Sequence, residues 1–378
     1  MKVLATGGGT GGHVYPALAA LDALVSDSTR STRAEDVLWV GSIDGVERSI
    51  LSHTPYRYVA VPTGPLRGTS LLQAARSVTH IARGVRQAFG LIRLWRPVVV
   101  LATGGYVSVP TVLAAWLQHV PVLLYLPDME PGLAVKQLAH IAERVAVSFE
   151  PAAAFFGAKA VVTGYPVRRA LFEVSHDGAR AQLGLDRELP LVLVMGGSRG
   201  ARSINQALVG GLTTLLERAQ VMHVTGPLDY EDVRKAQAAL PAEMQSRYRV
   251  HAYLHDEMVL ALAAADLVIA RSGAATLGEF PAVGLPAILI PYPYAGQHQR
   301  LNAAYLAEAG AAVVLADDRL GEELIQTIVR LLDDPATLRQ MSNAARAKSM
   351  PRAAENIADV LVSIAKGGVH GQRNHRHR

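Results

Sequence analysis

An α/β fold of two doubly wound, Rossmann-like halves facing a cleft is predicted by three features of the chain. Each half opens on an apolar run that breaks into a glycine-rich turn. Strand-like and helical runs then alternate through each half, and the series restarts near Pro190. The first turn is Gly7-Gly8-Gly9-Thr10-Gly11-Gly12-His13, directly after Val3-Leu4-Ala5. The second is Gly196-Gly197-Ser198-Arg199-Gly200, directly after Leu191-Val192-Leu193-Val194-Met195. Both read as a buried strand, a tight turn and a helix whose first amides can face an anion.

In chain order, the first half places strands at Val3-Ala5, Val37-Val40, Tyr58-Val61, Val98-Ala102, Val122-Tyr125, Val145-Ser148 and Ala160-Val162. The second places them at Val192-Met195, Met222-Val224, Val250-Ala252, Leu267-Ala270, Ala287-Ile290 and Ala312-Leu315. Helical patterns between short apolar strands are the mark of parallel sheets with helices on both faces. The first domain is expected over residues 1–163 and the second over 164–350. A helix near 351–366, with apolar spacing from Ala353 to Ala365, is expected to pack back on the first domain. The Gly, His and Arg tail 367–378 is expected to fray.

A chain of 378 residues with 50% hydrophobic and 18% charged residues is that of a packed globular protein. The absence of cysteine excludes disulfides, thiolate nucleophiles and Cys-ligated zinc. Met1-Lys2-Val3-Leu4 reaches glycine too soon for the apolar core of a secretion signal, so a cytoplasmic location is expected. Pro97 to Pro127 carries no Asp, Glu, Lys or Arg. Gly104, Gly105, Pro110 and Pro121 interrupt it, which favours strand, loop, buried helix and strand over a membrane span.

The net charge is +5, unevenly spread. No acid occurs from Arg48 to Pro127, while Arg48, Arg57, Arg67, Arg76, Arg83, Arg86, Arg93 and Arg96 do. Apolar residues recur at helical spacing among these arginines, from Leu71 to Trp95. Such a basic amphipathic helix suits an anionic membrane surface, although a solvated arginine face or a nucleic-acid patch has the same composition.

The chemistry-bearing residues cluster at strand ends. Gly7-x-Gly9-x-x-Gly12 fits a dinucleotide fingerprint, but the acid expected after the second strand would be Asp44, beyond Gly41-Ser42. His13 stands where that loop becomes helix, a place suited to proton transfer at neutral pH; a capping or packing role also fits its position. Gly196-Gly197-Ser198 can hold a diphosphate without a metal. Arg271-Ser272-Gly273-Ala274-Ala275-Thr276 opens another helix and places Glu279 one turn in, where a carboxylate can accept ribose hydroxyls. Gln297-His298-Gln299 and Asn302 can read sugar hydroxyls. Asp229-Tyr230-Glu231, an acid-x-acid of a kind that can hold a metal, reads as a solvated acidic run.

Taken together, Gly8-Gly9-Thr10-Gly11-Gly12-His13, Gly104-Gly105-Tyr106-Val107-Ser108, Gly196-Gly197-Ser198-x-Gly200-Ala201, Arg271-Ser272-Gly273-Ala274 and His298-Gln299-x-x-Asn302-Ala303 resemble the MurG family. Those enzymes are the lipid II-forming N-acetylglucosaminyltransferases, and the likeness runs from Lys2 to about Ala365. The resemblance implies a GT-B fold, with a polyprenyl-pyrophosphate acceptor on the first domain and UDP-N-acetylglucosamine (UDP-GlcNAc) on the second. It places Thr10 and His13 at the reaction centre, with Gly11, Gly12 and Asp128 beside the donor. Arg168 would lie near the interdomain phosphate region. Ser198, Arg199 and Gly200 would bind phosphates, Leu254-His255 uracil, and Glu279 ribose. Ser272, Gly273, Ala274, His298 and Gln299 would complete the donor site, His298 and Gln299 on the sugar. Gly104, Gly105, Tyr106, Ser108 and Arg67, the last in Gly64-Pro65-Leu66-Arg67-Gly68, would lie on the acceptor side.

The implied reaction is an inverting transfer needing no cofactor and no fixed metal, at the cytoplasmic face of the membrane and without nucleic acid. Three positions depart from the family pattern. Tyr125-Leu126-Pro127-Asp128 replaces His-Glu-Gln-Asn, Tyr165 replaces the Asn before Pro-Val-Arg, and His298 replaces the first of two glutamines. A different acceptor, a non-catalytic UDP-sugar-binding protein, a UDP-GlcNAc 2-epimerase and an NAD-dependent oxidoreductase are the alternatives that the residues leave open.

Overall fold

A computed structural model describes residues 1–64, 71–197, 199–294 and 298–374, with side chains left out at 71–78 and 368–374. The chain divides into two compact units, Met1–Val167 with Arg352–Arg378, and Arg168–Pro351. Each is built on one parallel sheet.

The first unit holds β1 (Val3–Thr6), β2 (Val37–Gly41), β3 (Arg57–Ala60), β4 (Val99–Ala102), β5 (Val122–Leu126), β6 (Arg144–Val147) and β7 (Ala160–Val162). Their order is β3-β2-β1-β4-β5-β6-β7. The order reverses between β1 and β4, which pair in parallel with Val3 opposite Val99 and Thr6 opposite Ala102. Loops leaving the carboxyl ends of these two strands therefore diverge to opposite sides and leave a crevice between them.

Alternation along β1 decides what each face buries. Val3 and Ala5 pack with Trp39, Leu101 and Leu123 against the helix Gly11–Ser26 and the returning helix, whose Ile357, Ala358, Leu361 and Ile364 fill that face. Leu4, Leu38, Val100 and Leu124 face the other way, onto Ala88 and Ile92 of the helix Leu71–Trp95 and onto Val112 and Ala115 of the helix Val109–Leu117. The returning helix runs Ala353–Asn374, so its backbone continues past Gly367. A glycine inside a helix costs only about 1 kcal/mol relative to alanine, too little to end it alone. Asn356 Nδ2 anchors this helix by donating to Thr163 O after β7, at 3.1 Å.

The second unit holds β8 (Leu191–Met195), β9 (Gln220–Val224), β10 (Tyr248–His251), β11 (Leu267–Ala270), β12 (Ala287–Leu289) and β13 (Ala312–Val314), ordered β10-β9-β8-β11-β12-β13. Val192, Val194, Ile269 and Ile288 bury one face against Ile204 and Leu208 of the helix Arg202–Gly210 and against Leu324, Ile328 and Leu331 of the helix Leu320–Leu332. Arg180, itself buried, ties the first turns of this unit to the sheet: Nη1 pairs with Asp266 Oδ2 at 3.0 Å, and that oxygen also accepts from Leu191 N at 2.7 Å. Among the described residues, no helix is long and apolar enough to cross a membrane.

Candidate active site

In the first unit, the ends of β1 and β4 bring together residues far apart in sequence. His13, in the first turn of the helix Gly11–Ser26, places Nδ1 2.7 Å from the carbonyl oxygen of Thr103, just past β4. A carbonyl only accepts, so Nδ1 carries the proton and Nε2 keeps its lone pair in the neutral ring. The contact sets both tautomer and orientation, which is how a histidine is prepared as a general base. It requires close approach of the two loops: a Cβ on Gly7 would lie 1.9 Å from Thr103 Oγ1. Gly104 and Gly105 follow with φ of +90 and +72, and Ser108 Oγ donates to Gly104 O at 2.6 Å, holding the turn that precedes Val109–Leu117. Tyr106 and Thr10 are exposed beside them.

Beneath the first loop lies a residue that the sequence reading passed over. Glu47, fully buried, accepts from Gly9 N at 3.2 Å, from Ser42 N at 2.8 Å and from Ser42 Oγ at 2.5 Å. Asp44, the acid that a dinucleotide fingerprint would need after β2, is exposed. Glu47 lies in a short helix, Val46–Leu51, whose Glu-Arg-Ser pattern carries no sign of burial. The surrounding signal was the glycines: Gly8 and Gly45 would each drive a Cβ into the Glu47 carboxyl, at 2.4 and 2.1 Å.

Asp128 stands partly buried after β5. Tyr125, deeply buried, hydrogen-bonds Ser148 Oγ at 2.6 Å; burial holds its phenol well above the usual range, and the Asp128 charge adds to this. Tyr165 is buried. Arg67 and Ser198 lie outside the described residues.

In the second unit the loop after β8 approaches the end of β9. Gly200 has φ +79, and a Cβ there would lie 2.0 Å from Thr225 O. Below this contact sits a closed polar network. Asn205 Nδ2 donates to Thr225 O and to Asp229 Oδ2, both at 2.9 Å, while its Oδ1 lies 2.9 Å from His223 Nε2; His223 Nδ1 is 2.7 Å from Tyr248 Oη. The neutral imidazole donating from Nε2 and accepting at Nδ1 satisfies every partner. Asp229 is thus not a solvated acid, as its sequence context suggested; the packing of Asn205 beneath the loop draws it in.

Burial lowers the His223 pKa to about 3. An unfolded histidine titrates near 6.5, so below that pH the unfolded chain binds a proton that the folded chain refuses. Stability conferred by a neutral His223 is therefore complete above about pH 6.5 and falls as pH drops toward 3, by about 2 kcal/mol at pH 5. Urea melts of the wild type and of His223→Gln at pH 7.5 and pH 5 check this: the variant is expected to lose less stability on acidification.

The end of β11 meets the helix His298–Glu308. Ser272 Oγ donates to Gln299 O at 2.7 Å, Asn302 Nδ2 donates to Ser272 O at 3.0 Å, and Gln299 Oε1 accepts from Tyr292 N at 2.9 Å. The Ser272 hydroxyl is thereby engaged inside the protein, and the Gln299 amide is turned with its NH₂ away from Tyr292. Gly273 and Ala274 lead into the helix Thr276–Val283 that carries Glu279. Burial raises the Glu279 carboxyl, and the Arg168 charge opposes that rise. Arg168 Nη1 donates to His255 O at 3.3 Å, joining two of the expected donor residues. Arg271 is held by Asp317 at 2.5 Å and donates to Ser203 Oγ at 2.7 Å, a brace between strand ends. Arg199 and His255 are exposed.

Residues 3–147 match the glycosyltransferase family 28 N-terminal domain and residues 191–357 its C-terminal domain. The chain is 40% identical to the UDP-N-acetylglucosamine--N-acetylmuramyl-(pentapeptide) pyrophosphoryl-undecaprenol N-acetylglucosamine transferase of Roseiflexus sp. (strain RS-1), over 96% of this chain and 95% of that one. It belongs to the MurG family. The like-named enzyme of Desulforudis audaxviator is 39% identical, over 97% of this chain and all of that one. The crystal structure of Acinetobacter baumannii MurG aligns at TM-score 0.73 and 27% identity, covering 96% and 99% of the two chains. A UDP-GlcNAc 2-epimerase from Neisseria meningitidis, at 14% identity and TM-score 0.67 over 96% and 100%, shares the fold. As a MurG-family member the chain is a GT-B glycosyltransferase, and the oxidoreductase alternative falls away.

Proposed function

We propose that the protein transfers GlcNAc from UDP-GlcNAc to the C4 hydroxyl of an undecaprenyl-pyrophosphoryl-MurNAc-pentapeptide, forming a β-1,4 link with inversion. The observation that carries this reading is the His13–Thr103 contact, which leaves Nε2 basic at the crevice between β1 and β4. Nε2 takes the proton of the acceptor hydroxyl as it attacks C1 of the donor, and the C1–O bond to UDP breaks. Negative charge gathering on the departing diphosphate is met by backbone amides of the loop Gly196–Gly200 and of Gly273-Ala274, so no fixed metal is required. Glu279 accepts from the ribose, and the Gln299 amide and His298 contact the sugar. Thr10, Gly11 and Gly12 line the donor's reacting end.

The enzyme sits peripherally on the anionic cytoplasmic leaflet. Exposed Phe89 and Leu94, with Trp116 and Leu117 of the neighbouring helix, lie among exposed Arg83, Arg86, Arg93 and Arg96. Gln118 Nε2 joins the two helices by donating to Phe89 O at 2.9 Å. Each arginine near anionic headgroups adds about 1 kcal/mol, so Arg86→Glu with Arg93→Glu is expected to weaken binding to phosphatidylglycerol vesicles at least tenfold in cosedimentation.

The decisive assay supplies labelled UDP-GlcNAc with and without a lipid I analogue. UDP release and labelled lipid product that both require the acceptor are expected. Turnover of UDP-GlcNAc without acceptor, or donor binding with no product under any acceptor, would overturn the proposal.

A further inference from the structure

We propose that Glu47 is a positioning residue for the transfer: its buried carboxylate sets the backbone of Gly7–Thr10 and, through it, the places of Thr10 and His13. This rests on the role of His13 given above.

Glu47 has no exposed surface, and burying a carboxylate is costly unless donors compensate it. Three do. Ser42 N and Ser42 Oγ bind Oε1 from the end of β2, at 2.8 and 2.5 Å, and Gly9 N binds Oε2 from the loop after β1, at 3.2 Å. The carboxylate thus bridges the ends of two neighbouring strands, with one oxygen for each. Gly9 lies one residue before Thr10 and four before His13, has φ +86, and a Cβ built on it would meet nothing within 4 Å. The Glu47 bond holds its amide from the side of the sheet. The loop also has little freedom to move without being noticed. A Cβ on Gly8 would enter the Glu47 carboxyl at 2.4 Å, and one on Gly105 would meet Gly8 O at 3.0 Å. The Glu47 side chain therefore supports one side of a loop whose other side faces the turn carrying Thr103, the partner of His13.

The Gly9 amide points inward to a negative charge, so it is not among the donors this loop offers to a ligand.

The experiment compares Glu47→Gln, Glu47→Asp and Ser42→Ala with the wild type and with His13→Ala, in the same acceptor-dependent assay. In Glu47→Gln one carboxylate oxygen becomes an NH₂ group. With the amide oxygen kept by the Ser42 donors, that NH₂ opposes the Gly9 N–H. Displacements near 1 Å reach about 100-fold in rate. Glu47→Gln is expected to lower kcat 10- to 100-fold, to leave the Kd for UDP within twofold and to speed hydrogen exchange at the Gly9 amide. Ser42→Ala, which keeps the carboxylate but removes its hydroxyl donor, is expected to fall between Glu47→Gln and the wild type. It carries the test should Glu47→Gln not fold.

A kcat within twofold of wild type in a folded Glu47→Gln, or in Ser42→Ala where Glu47→Gln does not fold, overturns the proposal. So does a kcat loss matched by equal loss of UDP affinity. Full turnover in His13→Ala would instead overturn the role of His13, a result that the Glu47 variants cannot produce.

Discussion

His13→Ala is expected to lower kcat by about 10²- to 10⁴-fold, the usual contribution of a positioned general base, while the Kd for UDP-GlcNAc stays within about twofold. The size of the effect follows from the tautomer. With Nδ1 committed to Thr103 O at 2.7 Å, the only ring nitrogen able to take a proton is Nε2, and alanine removes it from the first unit, whereas the uridine diphosphate is proposed to bind the second. His13→Gln is a stricter control, because it keeps a polar side chain of similar reach without a basic nitrogen; it should be nearly as slow. Single-turnover rates together with calorimetric donor binding separate the two quantities. Turnover unchanged in His13→Ala would remove the residue from the chemistry.

Gly200→Ala should be nearly as damaging, through affinity and stability rather than the chemical step. Its φ of +79 is unfavourable for alanine, and the new methyl would meet a backbone carbonyl, Thr225 O, at 2.0 Å. Strain of this kind costs about 1–3 kcal/mol and overpacking a similar amount. The loop must lift away from β9, and the amides proposed to hold the diphosphate lift with it. UDP affinity is expected to fall more than tenfold, with a Tm lower by several degrees. Gly273→Ala is the matching control: its φ is ordinary and nothing lies within 4 Å of the added carbon, so it should melt like the wild type. A Gly200→Ala protein with wild-type Tm and UDP affinity would show that the loop does not carry the phosphates.

Much of this was legible in the chain. Short apolar strands such as Val3-Leu4-Ala5 and Leu267-Ala270 have no polar side chain to place on either face, so they can only be central strands of a covered parallel sheet. Glycine turns after them marked both edges proposed to bind ligand. Local pattern also located His13 and Glu279 at helix starts, and the set of motifs located the family. Less visible was what each polar residue does. Asp229 looked solvated from its neighbours Tyr230 and Glu231, yet Asn205, 24 residues away, binds it. Arg271 sits in a motif expected to bind the donor, but its guanidinium pairs with Asp317 and Ser203.

The sequence by itself determined two Rossmann-like domains, their glycine loops and the candidate base, because strand burial, turn geometry and helix starts are properties of contiguous residues. Only the tertiary structure decided which nitrogen of His13 is basic, that Glu47 supports its loop and that His223 stays neutral. Those outcomes depend on partners brought together by the strand order, β1 beside both β2 and β4 and β8 beside β9, from positions up to 90 residues apart. Hydrogen bonding across that distance leaves no periodic trace in the chain.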